Sequence, residues 1–301
     1  MNIIKKIKKH GLVRSAKLGF AMIFRDAGRA YNKHRVRNAP TCSNPTTEDF
    51  VMIEISLQKL GVEVQDYSPS TQDFIQFRSG EFFPPDYHSG CPVPVWEEKL
   101  LEHWVASERL GLRTYRPDDI YVDIAAGSSP WAMALRQRAG IAAFAIDINE
   151  VGESYKDLPY YRSEDATATN FPDASVTGAS LQCAYEMFAG DNDSKLLKEF
   201  ARILKPGGKV VILPLYMHTH YCAFSTPEYF GKGHSDPVAI EYACLDWEGI
   251  PSARYYDGGT LKKRVLDEID QLGMRYQLLA LRNKADLGKD IYCHFILEIT
   301  K

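Results

Sequence analysis

Twenty residues, Tyr121 to Gly140 (YVDIAAGSSPWAMALRQRAG), constrain this chain more than any other stretch. Ile120, Val122 and Ile124 suit a strand interior, and Ser129-Pro130 reads as an N-cap followed by the one residue already set for the first helical turn. Trp131 and Leu135 fit the helix beyond, with Gly140 as its stop. Ala125, Ala126, Gly127 and Ser128 lie between strand and helix, small enough for a ligand to approach the backbone at a helix N-terminus. A tightly packed strand–helix junction without a ligand would look the same. The next segment separates the two readings. Residues 141–146 (IAAFAI) form a second apolar run ending in Asp147, twenty residues after Gly127. In a doubly wound sheet, a carboxylate at the tip of the second strand stands beside the first turn, where it accepts both hydroxyl hydrogens of a ribose.

Further signals follow in order. Glu164-Asp165-Ala166 precedes Phe171-Pro172-Asp173-Ala174-Ser175. Ser180 to Glu186 follows a fourth apolar run, and residues 197–213 (LKEFARILKPGGKVVIL) read as helix, turn and strand. This ordered set, over roughly residues 117 to 215, resembles the class I S-adenosylmethionine-dependent methyltransferases. Ala125 and Ser129 replace glycines common in that family's loop. The resemblance implies an α/β fold with a doubly wound, Rossmann-like, mainly parallel seven-stranded sheet. It implies S-adenosyl-L-methionine as cofactor, with Asp123 and the backbone of Ala125, Gly127 and Ser128 at the methionine end, and Gln182 beneath it. Asp147 with Ile148 then falls at the ribose, and Asp165 with Ala166 at the adenine.

Around this core the chain divides into a basic amphipathic arm (1–40), a helical and loop cap (41–115) and the cofactor domain (116–301) with a substrate-loop insertion at 216–257. The arm carries eleven Lys and Arg against one acid up to Asn38, so a net charge of −3 leaves −13 on the remainder. An acidic body of this kind does not clasp a phosphate backbone, and no nucleic-acid partner is expected. The arm's Ile3, Ile4, Ile7, Leu12, Phe20 and Phe24 recur near helical spacing, which suits an anionic membrane surface, packing on the body or a subunit, or nucleic-acid contact. Residues 38–47 are a breaker-rich linker. Thr46 or Thr47 can cap a helix to Leu60, residues 62–93 read as loops, and Pro94 to Leu110 is a helix with Trp96, Leu100, Leu101, Trp104 and Val105 on its apolar face. Asp193 or Ser194 caps a helix stopped by Pro206-Gly207-Gly208, Val210 to Leu213 is a short strand, and a helix over 260–272 precedes two closing antiparallel strands. No apolar run reaches the roughly 18 residues of a bilayer span, there is no apolar leader core, and six cysteines lack any C-x-x-C pair, so a cytoplasmic protein is expected.

For proton removal the candidates are His218 and His220, which follow the fifth strand, and Glu186. A metal on His218-x-His220 needs a further ligand that the sequence does not place, so none is assigned. The segment 180–185 lacks the Pro-Pro-aromatic stretch of amino and adenine methylases, and Cys91-Pro92 reverses the pair of cytosine carbon-5 enzymes. An oxygen of a small molecule, sugar or lipid-linked glycan remains by elimination. The rivals are a nicotinamide-dependent oxidoreductase on the same topology and a cofactor-binding scaffold without turnover. None of the seventeen tyrosines has a lysine four residues later, and no Gly-Lys is followed by Ser or Thr, which excludes a P-loop.

Overall fold

The computed structural model of the chain describes residues 26–79, 93–288 and 291–301. The first 25 residues of the basic arm, and the loop expected over 80–92, lie outside the described residues, as does the Trp96 side chain. By internal contacts the chain falls into two units, residues 26–43 with 222–253, and residues 44–221 with 254–301.

The larger unit is built on one sheet. Its strands are β1 (Val64–Tyr67), β2 (Ile120–Ile124), β3 (Ala142–Asp147), β4 (Tyr161–Ser163), β5 (Val176–Gln182), β6 (Leu204–Leu215), β7 (Arg275–Leu281) and β8 (Phe295–Thr300). They lie in the order β1-β7-β8-β6-β5-β2-β3-β4. Strand β8 is antiparallel to both its neighbours, and every other pairing is parallel. The order reverses between β2 and β5, and a doubly wound sheet opens its ligand crevice at that point. Eight strands stand where seven are expected. The added one, β1, pairs with β7 inside a stretch that reads as loop, because three half-buried residues and the exposed Asp66 at an edge give no clear alternation. Strand β6 also exceeds the expected Val210 to Leu213, since ladders on both sides extend it to Leu204 and Leu215.

Helix α1 (Thr47–Lys59) is held at its start by a capping box. The Thr46 hydroxyl accepts from the Asp49 amide at 3.2 Å, and Asp49 accepts from the Thr46 amide at 2.8 Å. Next come α2 (Thr71–Ser79) and α3 (Val93–Leu110). On α3, Leu100, Leu101, Trp104 and Val105 are buried against Phe74, Trp131 and the sheet. Fully burying each such side chain contributes on the order of 2 kcal/mol. Helix α4 (Trp131–Ala139) starts one residue later than the Ser-Pro pair suggests. Pro130 occupies the capping position, Ser129 Oγ accepts from the Trp131 amide at 3.2 Å, and Gly140 closes the helix at φ 67°. Helix α5 (Asn192–Ile203) begins before Asp193, which is therefore not its cap. Asp193 is fully buried and ion-paired instead, to Arg254 at 2.6 Å and Arg264 at 2.8 Å, and accepts from the Tyr256 hydroxyl at 2.8 Å. The late helix spans residues 258–271 and carries a π turn over Lys262–Leu266.

The smaller unit contains a helix over residues 26–35 and two parallel strands, Cys222–Ser225 and Ile240–Ala243. Arg29 pairs with Glu248, Arg35 donates to the Phe230 carbonyl at 3.2 Å, and the Ala243 amide donates to Pro40 at 2.9 Å. Among the described residues no helix is long and apolar enough to cross a membrane.

Candidate active site

The turn after β2 takes a tight left-handed path. Ala125 and Gly127 both sit at φ 55°, a conformation that costs a residue with a Cβ about 1 kcal/mol and glycine little. The Ala126 amide donates to the Ile146 carbonyl at 3.0 Å, tying the turn to the tip of β3. Register places Asp123 opposite Ala145, so the residue ending β3, Asp147, lies beside the turn. One Asp147 oxygen accepts from the Gly127 amide at 2.8 Å, and the other accepts from the Asn149 amide and side chain at 2.9 and 2.8 Å. The oxygen bonded to Gly127 has a lone pair left for a further donor, and the other already accepts twice.

Two cavities flank this turn. One, of about 180 Å³, is lined by Gly127, Ser128, Asp147, Asn149, Val151 and Tyr161 among others. The other, of about 210 Å³, includes Lys99, His103, Asp123, Ala125, Ser128 and Gln182 in its wall. Asp123 is 1% exposed, and its Oδ2 has no hydrogen-bond partner among the described residues. Burial pushes its carboxyl up to about 7, against the pull of Lys99 and of the Ser129 hydroxyl. A buried, unmatched acceptor on a cavity wall is costly for the empty protein and favourable for a ligand that brings a donor.

Beneath the turn a polar chain fixes its shape. Gln182 Nε2 donates to Ser180 Oγ at 2.7 Å, Ser180 meets the Tyr121 hydroxyl at 2.5 Å, and Trp131 Nε1 donates to that hydroxyl at 3.1 Å. The Tyr161 hydroxyl donates to the Ser129 carbonyl at 2.7 Å.

Above the strand tips, α3 contributes a charged cluster absent from the sequence reading. Lys99 Nζ donates to Glu102 at 2.8 Å, and the other Glu102 oxygen accepts from Cys183 Sγ at 3.0 Å. Cys183, held at φ 50°, also lies 3.2 Å from the Tyr292 hydroxyl and 3.4 Å from that of Tyr216. Burial opposes the Lys99 charge, but Glu102 and Cys183 hold its ammonium well above the ordinary lysine value. Glu98 accepts from the Tyr292 and Cys293 amides, both at 3.1 Å, and burial followed by the nearby Glu102 pushes it up to about 8. Glu186 has an unpartnered Oε2, and burial pushes its carboxyl up to about 7. The signal for this cluster was present in the sequence. Glu98 and Glu102 stand four residues apart beside an apolar helical stripe, where a solvated face would not place them.

Other sequence candidates lie elsewhere. His218 is buried, its Nδ1 accepts from the Thr219 amide at 2.9 Å, and its ring is 4.3 Å from that of His220. Neither histidine, nor Glu186, is among the residues lining the two cavities. Asp165 accepts from the Thr167 amide and hydroxyl at 2.8 Å, Ala166 is buried, and Ile148 is 74% exposed. These three also line neither cavity.

Residues 122–212 match the family model described as a methyltransferase domain. The match runs from β2 into β6 and contains Asp123, Asp147, Asp165, Gln182 and Glu186. Among solved structures, a Burkholderia thailandensis 1,6-didemethyltoxoflavin-N1-methyltransferase is 13% identical, with 79% of this chain and 93% of that one covered and a TM-score of 0.45. A Methanosarcina mazei S-adenosylmethionine-dependent methyltransferase is 18% identical, covering 62% and 94%, at 0.40. A Thermotoga maritima chain described as a possible histamine N-methyltransferase is 15% identical, covering 69% and 96%, at 0.40. No curated protein matches the chain.

Proposed function

We infer that this chain, whose residues 122–212 match a methyltransferase-domain model, is an S-adenosylmethionine-dependent methyltransferase that delivers its methyl group to an oxygen of a small molecule, sugar or lipid-linked glycan. The observation that carries the cofactor assignment is the orphaned Asp123 oxygen on the wall of the cavity beside the turn. An α-ammonium group supplies the donor that Asp123 lacks. S-adenosylmethionine, when bound, provides a methyl already activated by its sulfonium charge. The chain's own task is then to hold the acceptor in line and to take a proton.

Each residue has an assigned part. Asp123 receives the ammonium, while Ala125, Gly127 and Ser128 present the turn backbone and Gln182 closes the floor. Asp147 accepts one ribose hydroxyl on the oxygen bonded to Gly127 and the other where the Asn149 side chain gives way, Ile148 lies beside them, and Asp165 with Ala166 borders the base. Glu186 is the favoured proton acceptor among the three candidates. Its Oε2 is unpartnered and its carboxyl feels Lys99 and Glu102, whereas His218 Nδ1 is already engaged by the Thr219 amide. We place the enzyme in the cytoplasm, with the basic residues of the arm touching an anionic membrane surface when the acceptor is lipid-linked.

Calorimetry tests the cofactor assignment. S-adenosylhomocysteine should bind at micromolar level, and Asp147→Ala should weaken it roughly 10- to 100-fold, the worth of a charge-assisted hydrogen bond. Tight NADH binding in its place would turn the assignment to an oxidoreductase. Mass spectrometry of extract incubated with labelled donor identifies the acceptor. With that acceptor, Glu186→Gln should lower turnover by roughly 10²- to 10⁴-fold and leave S-adenosylhomocysteine binding intact. Undiminished turnover would remove Glu186 from the role.

A further inference from the structure

We propose that Lys99 is an exchangeable counter-ion, held by Glu102 in the empty enzyme and handed to the carboxylate of the cofactor's methionine end on binding. The inference rests on the cofactor reading above and adds which residue receives the carboxylate. The cavity of about 210 Å³ presents one permanent cation, Lys99, and one orphaned carboxylate, Asp123. That pairing matches the two charges of an α-amino acid. Asp123 has an unmet acceptor waiting, but Lys99 is already engaged by Glu102 at 2.8 Å. A lysine ammonium has three protons on a flexible stem, so it can turn from one carboxylate to another without leaving its place on α3.

The exchange has a consequence for Glu102. That side chain is fully buried, and its other oxygen keeps only the weak Cys183 donor. A buried carboxylate that loses its cation is destabilised until another donor arrives. Cys183, its remaining donor, lies 3.2 Å from the Tyr292 hydroxyl and 3.4 Å from that of Tyr216, which leaves Glu102 inside a polar cluster. Glu102 acts through Lys99 and is a positioning residue.

Three variants of the full chain, titrated by calorimetry against two probes, test this. S-adenosylhomocysteine carries the carboxylate, and 5′-methylthioadenosine lacks it. Lys99→Met should weaken S-adenosylhomocysteine roughly 10- to 100-fold and leave 5′-methylthioadenosine unchanged. Glu102→Gln, which frees Lys99, should tighten S-adenosylhomocysteine several-fold. Because Lys99→Met strands a buried carboxylate, the double variant Lys99→Met/Glu102→Gln serves as the folded control. It should keep the wild-type melting temperature and show the same selective loss. Equal effects of Lys99→Met on both probes, or none on either, would overturn the assignment of Lys99. Unchanged or weaker binding in Glu102→Gln would overturn the exchange. A wild-type chain that binds neither probe would instead sink the cofactor reading itself.

Discussion

Replacing Asp123 by asparagine should make this chain more stable and weaken its hold on the proposed cofactor, and the two effects come from one atom. A carboxyl whose folded-state pKa lies above its unfolded value keeps its proton more tightly in the fold. Stability is therefore lost as pH rises from the unfolded value to the folded one, and the whole deficit is present above the latter. For Asp123 these limits are 3.8 and about 7, with burial as the main cause. At 1.36 kcal/mol per pH unit the deficit approaches about 4 kcal/mol at pH 8 and is about 2 kcal/mol at pH 5. Asparagine keeps the shape and carries no charge, though its own unmet hydrogen bond costs about 1 kcal/mol. The net gain is about 3 kcal/mol at pH 8 and about 1 kcal/mol at pH 5. In a chain of this size the first figure corresponds to a rise in Tm of roughly 5 °C. Scanning calorimetry at the two pH values reads it, and isothermal titration of S-adenosylhomocysteine should show an affinity loss of roughly 10- to 100-fold. A variant that melts lower at pH 8, or gains equally at both pH values, would refute the reasoning, because the orphaned charge would then not be what destabilises the turn. Functional sites commonly carry this conflict between stability and binding.

Two other substitutions probe the frame. Ala125→Gly relieves a left-handed alanine at φ 55° and should stabilise the chain by about 0.5 kcal/mol in urea unfolding, once the greater unfolded-state freedom of glycine is subtracted. Asp193→Ala leaves Arg254, itself 4% exposed in its side chain, without its carboxylate, and should cost about 3 to 5 kcal/mol by the same assay.

The strand, turn and helix around Gly127, the placing of Asp147 at the next strand tip, and most of the parallel sheet were legible in the residue order alone. Each is a local pattern, in which apolar periodicity, a small-residue turn and a stop glycine lie within twenty residues. The Thr46 cap and the Gly140 stop were legible for the same reason. Features that long-range contact creates emerged with the folded chain. Asp193 reads as a helix cap, and its partners lie 61 and 71 residues away as Arg254 and Arg264. Strand β1 exists because β7 offers it an edge. The Lys99, Glu102 and Cys183 cluster forms because α3 crosses the tips of strands far along the chain, and burial in that crossing sets the charge state of Glu98, Asp123 and Glu186. Local pattern reports which backbone an individual segment prefers, whereas desolvation and partner choice depend on what the rest of the fold brings against it.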